Sequence, residues 1–240
     1  MQLSMAFYNQ GESLLRLHRR LIAHFGPPMP CRLLDPVSQL IMGIIGGRTL
    51  SSESLRAFRV LLSRFDCWEQ VCDAEPASLA RSIAAVTDAE VKARRLRAAL
   101  RLIVARRGRL ELDFLADLSV EAALSWLESL PGVGRKVSAA TLNFSTLRKK
   151  ALVIDRHHLR ILRRLGLVRP RANTAEAYRR IVPDLPDAWT AADLDDHHQL
   201  MKSLGQSCCR HAFPRCDACP LRDLCPARDS TTLVESRPGV

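Results

Sequence analysis

The chain contains no run of apolar residues long enough to cross a membrane, and its first residues lack the apolar core of a secretion signal. A membrane-spanning helix needs about 18 or more consecutive apolar residues, and a signal peptide needs an apolar stretch behind a basic start. We therefore expect a protein of the cytoplasm with no membrane partner. We also expect it to be a monomer, associated with the nucleoid if its source is bacterial.

Alternating apolar and polar residues, the pattern of a half-buried strand, are also missing over any useful length. Apolar residues instead recur at helical spacing in 13–25, in the stretch that Pro36 opens, and in 90–107. Asp88 and Ser119 precede such stretches and are predicted helix N-caps. The sequence predicts an all-α protein.

Acidic residues are few relative to basic ones. The 36 Lys and Arg residues against 25 Asp and Glu residues give a formal net charge of +11. Such an excess favours a polyanionic partner, with nucleic acid first among the candidates. The alternative is that the basic side chains only solvate helix surfaces.

Four of the eight cysteines, Cys209, Cys216, Cys219 and Cys225, are spaced C-x6-C-x2-C-x5-C near the C-terminal end. This spacing indicates a metal site, for which four thiolates suit either zinc or an iron–sulfur group. A disulfide framework is the third interpretation, although it is typical of short secreted domains. Cys208 adjoins Cys209 and offers an alternative first ligand.

A glycine-rich turn, Leu130-Pro-Gly-Val-Gly-Arg-Lys136, lies between two predicted helices, 119–129 and 135–147. Two glycines permit a tight turn whose backbone N–H groups face outward, and the positive end of the next helix dipole adds to their attraction for a phosphate. The pattern favours a helix-hairpin-helix that holds DNA by its backbone, although such a turn alone can be a mere connection.

Asp155 is the single acid among nine basic residues between Arg135 and Arg164. Cationic surroundings are expected to lower the pKa of its carboxyl group, which then stays ionised and can stabilise positive charge on a substrate. Asp155 also begins a predicted helix, so it is a predicted N-cap as well.

Together these segments resemble a known family. The hairpin with Lys136, an aspartate nineteen residues later in VIDRHH, and the cysteine quartet behind DDHHQLMKSLGQS are similar to endonuclease III-type DNA glycosylases of the helix-hairpin-helix superfamily. The resemblance implies two helical domains that bind DNA between them. Residues 36–149 would form a six-helix barrel with the hairpin, and 1–35 with 150–226 a cluster domain. Residues 227–240, with few apolar anchors, are expected to be a disordered tail.

The resemblance also implies roles for particular residues. Lys136 would be the nucleophile, Asp155 its acidic partner, and the cysteine quartet the ligands of a [4Fe-4S] cluster. A lysine attacks as the neutral amine, and the helix dipole and nearby cations are expected to lower the pKa of Lys136. The expected partner is duplex DNA with damaged bases or abasic sites, contacted by the hairpin and by the loop between the first ligands. The predicted contacts are Arg48, Leu130, Gly132, Val133, Gly134, Arg135, Arg210, His211 and Arg215.

The chain departs from the family at positions that affect substrate choice. Where the family has Gln in a SAQAT-like segment, filling the space of the flipped base, this chain has GGRTL and places Arg48 there. A second wedge position falls near 86–88. The leading prediction is a base excision repair glycosylase and abasic-site lyase acting on oxidised pyrimidines. Open alternatives are another lesion, such as an alkylated or mismatched base, chiefly abasic sites, or a non-catalytic DNA-binding or redox-sensing role.

Overall fold

The computed structural model describes residues 10–30 and 33–229, so most of the predicted disordered tail lies outside the described residues. The all-α prediction is confirmed for the described part, which contains no strand beyond one isolated bridge between Leu34 and Ser145. Short 3-10 turns follow several helices, including one at Pro226–Asp229. The α-helices are α1 (Gln10–Phe25), α2 (Pro36–Ile45), α3 (Ser51–Arg64), α4 (Trp68–Asp73), α5 (Pro76–Ser82), α6 (Ala89–Arg107), α7 (Val120–Glu128), α8 (Arg135–Asn143), α9 (Arg156–Arg164), α10 (Thr174–Ile181) and α11 (Ala191–Ser207).

Two compact units make up the chain, and we call them the central unit and the terminal unit. The central unit contains the described residues of Arg32–Ala151, and the terminal unit contains those of 1–31 and 152–240. Leu34 bridges to Ser145, and its carbonyl accepts from the Thr146 N–H at 2.9 Å, so the residues just before α2 go with the central unit. The predicted domain boundary was a few residues later.

The core of the central unit lies around α2, which packs against α6 and α8. Pro36 opens α2 because its fixed backbone angle suits the first helical turn, and Asp35 caps that turn by accepting from the Ser38 N–H at 2.9 Å. Gly43 lets α8 approach closely, since a Cβ at this position would lie 2.8 Å from Val137 Cγ1. The segment that begins with the hairpin is thereby fixed to the core.

The terminal unit is organised by α11, which packs against α1 and α9. A capping box between Thr190 and Asp193 starts α11, with each side chain bonded to the other residue's backbone N–H. Ahead of α9 runs an extended segment, 151–154, whose four apolar residues are buried. This buried segment carries the chain directly to Asp155.

Ser119, Asp155 and Asp88 all stand at the predicted N-cap positions, but only the first two cap their helices through the side chain. Ser119 Oγ accepts from the Ala122 N–H at 3.2 Å, and Asp155 caps α9. Asp88 precedes α6 but makes no side-chain cap, because its backbone is left-handed, with φ of 57°, and its carboxylate binds Arg48 instead. In the described residues no helix combines the length and apolar character that a membrane span requires.

Candidate functional site

The hairpin joins α7 to α8 in the central unit and follows the predicted turn. Gly132 has φ of 81°, a left-handed conformation that an L side chain rarely adopts, and a Cβ there would lie 3.0 Å from the Arg95 side chain. Gly134 is different, since its φ of −114° suits other residues and open space surrounds its Cβ position. The turn itself therefore requires only the first of these two glycines.

Hydrogen bonds and one ion pair hold the hairpin closed. The Val133 N–H donates to the Leu130 carbonyl at 3.2 Å, and both side chains are buried. Arg135, a predicted DNA contact, pairs with Glu128 at 2.6 Å, and Ser138 Oγ donates to the same carboxylate at 2.7 Å. Glu128 thus links α7 to α8, and much of the Arg135 charge is neutralised within the protein.

Lys136 is the second residue of α8 and is half-buried. Gly134 precedes the helix as its N-cap and brings no capping side chain to the first turn. A helix N-terminus attracts negative charge and disfavours an added positive one. Since α8 is fixed to α2 through Gly43, the backbone that carries Lys136 has one defined position in the central unit.

Asp155 lies in the terminal unit, at the start of α9. Its Oδ1 accepts from the backbone N–H groups of His157, at 2.8 Å, and His158, at 2.9 Å. Burial raises the pKa of the Asp155 carboxyl group. The opposite effect is larger and comes from His198, from the hydrogen bond with the His158 N–H, and from the imidazoles of His158 and His157. The pKa of Asp155 therefore lies below its usual value. The predicted direction agrees with this result, although the sequence interpretation attributed the lowered pKa to the surrounding lysines and arginines and not to histidines.

Histidines support the segment that leads to Asp155. The Val153 carbonyl lies 2.8 Å from His198 Nδ1 and 3.2 Å from His158 Nδ1. Because a carbonyl oxygen only accepts, both rings carry a proton on Nδ1. Burial lowers the pKa of His158 to about 4, so this ring is neutral at physiological pH. These contacts were not predictable from the sequence, since histidine spacing does not reveal a shared carbonyl.

The four spaced cysteines follow α11 in the terminal unit. All seven cysteines that the structure describes are free thiols. Burial raises the pKa of Cys219 to about 11, and the neighbouring sulfurs of Cys209, Cys208 and Cys225 raise it further. The pKa of Cys225 is raised by burial and by Cys209 and Cys216. Cys219 and Cys225 therefore lie close to other sulfurs of the quartet.

The sulfurs of this loop differ in their arrangement and in their hydrogen-bond partners. In the described residues no three Cys, His, Asp or Glu side chains converge as the ligands of one metal ion do. An iron–sulfur cluster has a different requirement, because its thiolates bind separate iron atoms. Cys208 is buried and its Sγ donates to the Ala218 carbonyl at 3.4 Å, whereas Arg164 donates to Cys209 Sγ at 3.2 Å.

Two arginines of α9 hold the backbone of the cysteine loop. Arg160 donates to the carbonyls of Cys209, at 2.7 and 2.9 Å, and Gly205, at 2.8 Å. Arg164 donates to the carbonyls of Arg210, at 2.7 Å, and His211, at 3.1 Å. These contacts leave the side chains of the predicted DNA contacts Arg210, His211 and Arg215 exposed.

Phe213, at the centre of the same loop, was not predicted to have a role. It is 73% exposed and has a left-handed φ of 52°, which is an outlier for an aromatic residue. The signal in the sequence was an aromatic residue between basic ones, in HAFPR. The loop thus presents a ring among cationic side chains.

The fold of the chain is similar to that of solved endonuclease III structures. Two solved structures of endonuclease III with DNA, one a non-covalent complex and one a trapped covalent intermediate, superpose with TM-scores of 0.75 and 0.74. Each superposition covers 91% of this chain and 96% of the other, at 19% and 20% identity.

Relatives are also found by sequence comparison, although no protein-family model matches the chain. Endonuclease III of Thermotoga maritima is 28% identical over 209 residues, which are 86% of this chain and 89% of that protein. An Arabidopsis thaliana protein provisionally named a DNA glycosylase is 32% identical over 148 residues, 62% of this chain but only 50% of that protein. The chain is thus similar in sequence to endonuclease III proteins and similar in fold to solved endonuclease III structures.

Proposed function

We propose that the protein is a base excision repair DNA glycosylase that also cleaves abasic sites by β-elimination. The observation that carries this proposal is a half-buried lysine, Lys136, on the first turn of the helix that follows the hairpin. The hairpin supplies backbone groups for a phosphate, and the lysine supplies a primary amine beside them. A DNA-binding protein without chemistry would need the first of these features but not the second.

The reaction begins when the damaged nucleotide turns out of the duplex, at a cost of a few kcal/mol that is lower where pairing is already weak. As the base leaves, positive charge develops on the sugar, and the ionised carboxylate of Asp155 stabilises it. Burial disfavours this charge, but the N–H groups of α9 and the nearby imidazoles keep the pKa of Asp155 low. Asp155 therefore serves as the anion and does not need to accept a proton.

Lys136 then completes the reaction. Its neutral Nζ adds to C1′ of the cationic sugar and loses one proton. The nitrogen lone pair then forms a double bond to C1′ and expels the ring oxygen, which takes up a proton, and a protonated Schiff base results. Removal of a proton from C2′ sends its electron pair toward the iminium group, and the bond to the 3′ phosphate breaks. Hydrolysis of the Schiff base returns the amine. The strand is nicked on the 3′ side of the lesion.

We assign the cysteine quartet to a [4Fe-4S] cluster held by Cys209, Cys216, Cys219 and Cys225. The proximity of the four sulfurs supports this assignment, because cationic iron would stabilise the thiolate forms that burial disfavours at Cys219 and Cys225. The cluster would supply a structural centre for the loop, and no step of the reaction requires it. Cys208 is directed to the Ala218 carbonyl, which favours Cys209 as the first ligand.

The DNA-binding surface would combine main-chain and basic side-chain contacts. The hairpin contributes the backbone of Gly132 and Gly134, since Leu130 and Val133 are buried. The cysteine loop contributes Arg210, His211 and Arg215. Such contacts fix the position of the protein on the duplex without reading its sequence.

Oxidised pyrimidines are the proposed substrate class, following from the endonuclease III type. One observation favours a different lesion, such as a mismatched or alkylated base. Arg48 stands where the family pattern has Gln, Asp88 lies in the 86–88 stretch near which the pattern has an apolar residue, and the two form an ion pair with each other. Single-turnover rates on a panel of duplexes, each with one lesion opposite one of the four bases, would separate these classes.

Strand nicking at an abasic site tests the proposed activity. Wild-type protein should nick the strand and leave the product of β-elimination, and Lys136→Ala should lower the rate at least 10³-fold. Lys150→Ala removes an exposed lysine from the same unit and should leave the rate unchanged. Wild-type protein that binds the duplex without nicking it would instead favour a non-catalytic or redox-sensing protein.

A further inference from the structure

Two loops of the central unit meet through an exposed pair of charged residues. Arg48 belongs to the loop between α2 and α3, and Asp88 ends the loop between α5 and α6. Arg48 Nη2 donates to Asp88 Oδ2 at 2.7 Å, while the two side chains remain 80% and 44% exposed. Both residues have left-handed backbones, with φ of 54° and 57°. Such conformations are uncommon outside glycine, so other contacts must maintain them.

Those contacts join the two loops directly. Thr87 Oγ1 donates to the Arg48 carbonyl at 3.1 Å, and the Thr87 N–H donates to Thr49 Oγ1 at 3.1 Å. Beneath them the buried Lys92 donates from Nζ to the Ile45 carbonyl, the Gly47 carbonyl and Thr49 Oγ1, at 2.8, 2.6 and 2.7 Å. Lys92 belongs to α6, the helix that follows the loop of Asp88. Its three ammonium protons bond to the end of α2 and to the loop of Arg48.

The pairing changes what Arg48 offers to DNA. An unpaired exposed arginine on a protein of charge +11 binds any phosphate and adds to sequence-independent affinity. Beside Asp88 the guanidinium is partly neutralised and its donors are partly occupied. An exposed ion pair is weak, so a planar acceptor that takes two hydrogen bonds from the guanidinium can displace the carboxylate. The edge of a base that has lost its partner offers such acceptors.

We propose that Asp88 is a positioning residue that restricts Arg48 on undamaged DNA and releases it to the hydrogen-bonding edge of an unpaired base. The inference rests on the proposed DNA glycosylase function and adds a determinant of discrimination between damaged and undamaged sites. Asp88 touches the DNA only through Arg48, so its effect depends on the arginine being present.

Binding of the Asp88→Asn variant tests the inference without relying on catalysis. Asparagine adopts the left-handed conformation readily, so the change removes charge while keeping the backbone. The probes are an undamaged duplex and the same duplex with a stable tetrahydrofuran abasic-site analogue. We expect affinity for undamaged DNA to rise about three- to tenfold, and the slope of log affinity against log salt to steepen by about 0.9, as for one added phosphate contact. Affinity for the analogue should stay unchanged, so discrimination falls by about the same three- to tenfold.

Two controls separate this effect from a general change of charge. Glu90→Gln makes the same charge change nearby, where Glu90 faces Arg94 at 3.8 Å along α6, and it should affect both duplexes equally. In an Arg48→Asn background, Asp88→Asn should have no further effect on discrimination.

An equal effect of Asp88→Asn on both duplexes would overturn the inference, as would an effect that persists without Arg48. Wild-type protein that fails to discriminate between the duplexes would also contradict it. Strand nicking is scored separately. A protein that discriminates through Asp88 but never nicks would leave the inference standing and refute the proposed lyase activity.

Discussion

Asp155 uses one carboxylate for two tasks. Its Oδ1 satisfies two backbone N–H groups at the start of α9, and these same bonds help to keep the group ionised in a buried position. Folding and chemistry thus depend on the same side chain, and a simple deletion would confuse them. A variant that keeps the cap and removes the charge separates the two tasks.

Asp155→Asn is that variant, because the amide oxygen can accept the same two N–H bonds. We expect the free energy of unfolding to stay within about 1 kcal/mol of the wild-type value, and base release under single-turnover conditions to slow by about 10²-fold or more. Asp35→Asn, a matched change at the N-cap of α2, should affect neither quantity. A wild-type rate in Asp155→Asn would show that the charge has no catalytic role.

At the residue scale, local signals predicted Asp155 and Ser119 as caps because a cap depends on the next three residues. Asp88 carries the same local signal, yet Arg48, forty positions away, takes its carboxylate. Lys92 likewise follows an ordinary helical pattern and becomes buried only through carbonyls of another loop. Partners brought close only by folding were therefore not predictable from either local sequence.

The element that carries the site, the hairpin between α7 and α8, depends unequally on its glycines. Gly132→Ala places a side chain in a left-handed backbone and against Arg95, which should cost about 1–2 kcal/mol of stability and weaken DNA binding. Gly134→Ala meets open space at ordinary angles and should lose less than about 0.5 kcal/mol. Urea unfolding and binding to abasic duplex measure both. Equal losses in the two variants would contradict the observed turn.

Three helices of the terminal unit meet through histidine rings. His197 of α11 lies between His18 of α1 and His158 of α9, with ring centroids 5.5 and 5.3 Å apart. Burial lowers the pKa of all three, to about 4 for His158. The helices themselves were predictable from their periodicity, but this packing was not, because the three rings come from distant parts of the sequence.

Acid should therefore destabilise the terminal unit before it protonates most carboxylates. Below about pH 6.5 the unfolded chain binds protons on these histidines while the folded chain does not, so stability falls as the pH drops toward 4. His158 alone should contribute roughly 3 kcal/mol over that interval. Asp155 and Asp193 lie near these histidines and have lowered pKa values, so their contribution to the stability of the fold is lost only at lower pH.

Urea unfolding at pH 7.0, 5.5 and 4.5 measures this loss, and His158→Leu provides the comparison. The variant removes one buried group that must be protonated on unfolding, so its stability should depend less steeply on pH than that of the wild type. Parallel pH profiles for the two proteins would exclude His158 as a source of acid sensitivity.

For the whole molecule, the formal charge of +11 determines how binding responds to salt. If about six phosphates are neutralised, affinity for duplex DNA should fall by about 10³-fold between about 50 and 200 mM salt. Fluorescence anisotropy with a labelled abasic duplex measures the slope. A decrease of less than tenfold would mean that the basic residues mainly solvate helix surfaces.

The all-α class of the whole molecule was predictable because helical periodicity is visible in each short stretch of sequence. Its similarity to endonuclease III was predictable because the hairpin, the aspartate and the cysteines follow one another in a recognisable order along the chain. The loop contacts that affect specificity were not. Arg48 departs from the family pattern, and Arg48, Asp88 and Phe213 have left-handed backbones that no local sequence signal predicts.

Trapping with sodium borohydride tests the central claim, that Lys136 is the nucleophile, most directly. The reagent reduces a Schiff base between protein and abasic-site DNA to a stable covalent bond. We expect wild-type protein to give an adduct whose mass equals that of protein plus cleaved DNA, with the modification on Lys136, and Lys136→Ala to give none. An adduct of equal yield in Lys136→Ala, or wild-type protein that binds abasic DNA without forming one, would contradict the account.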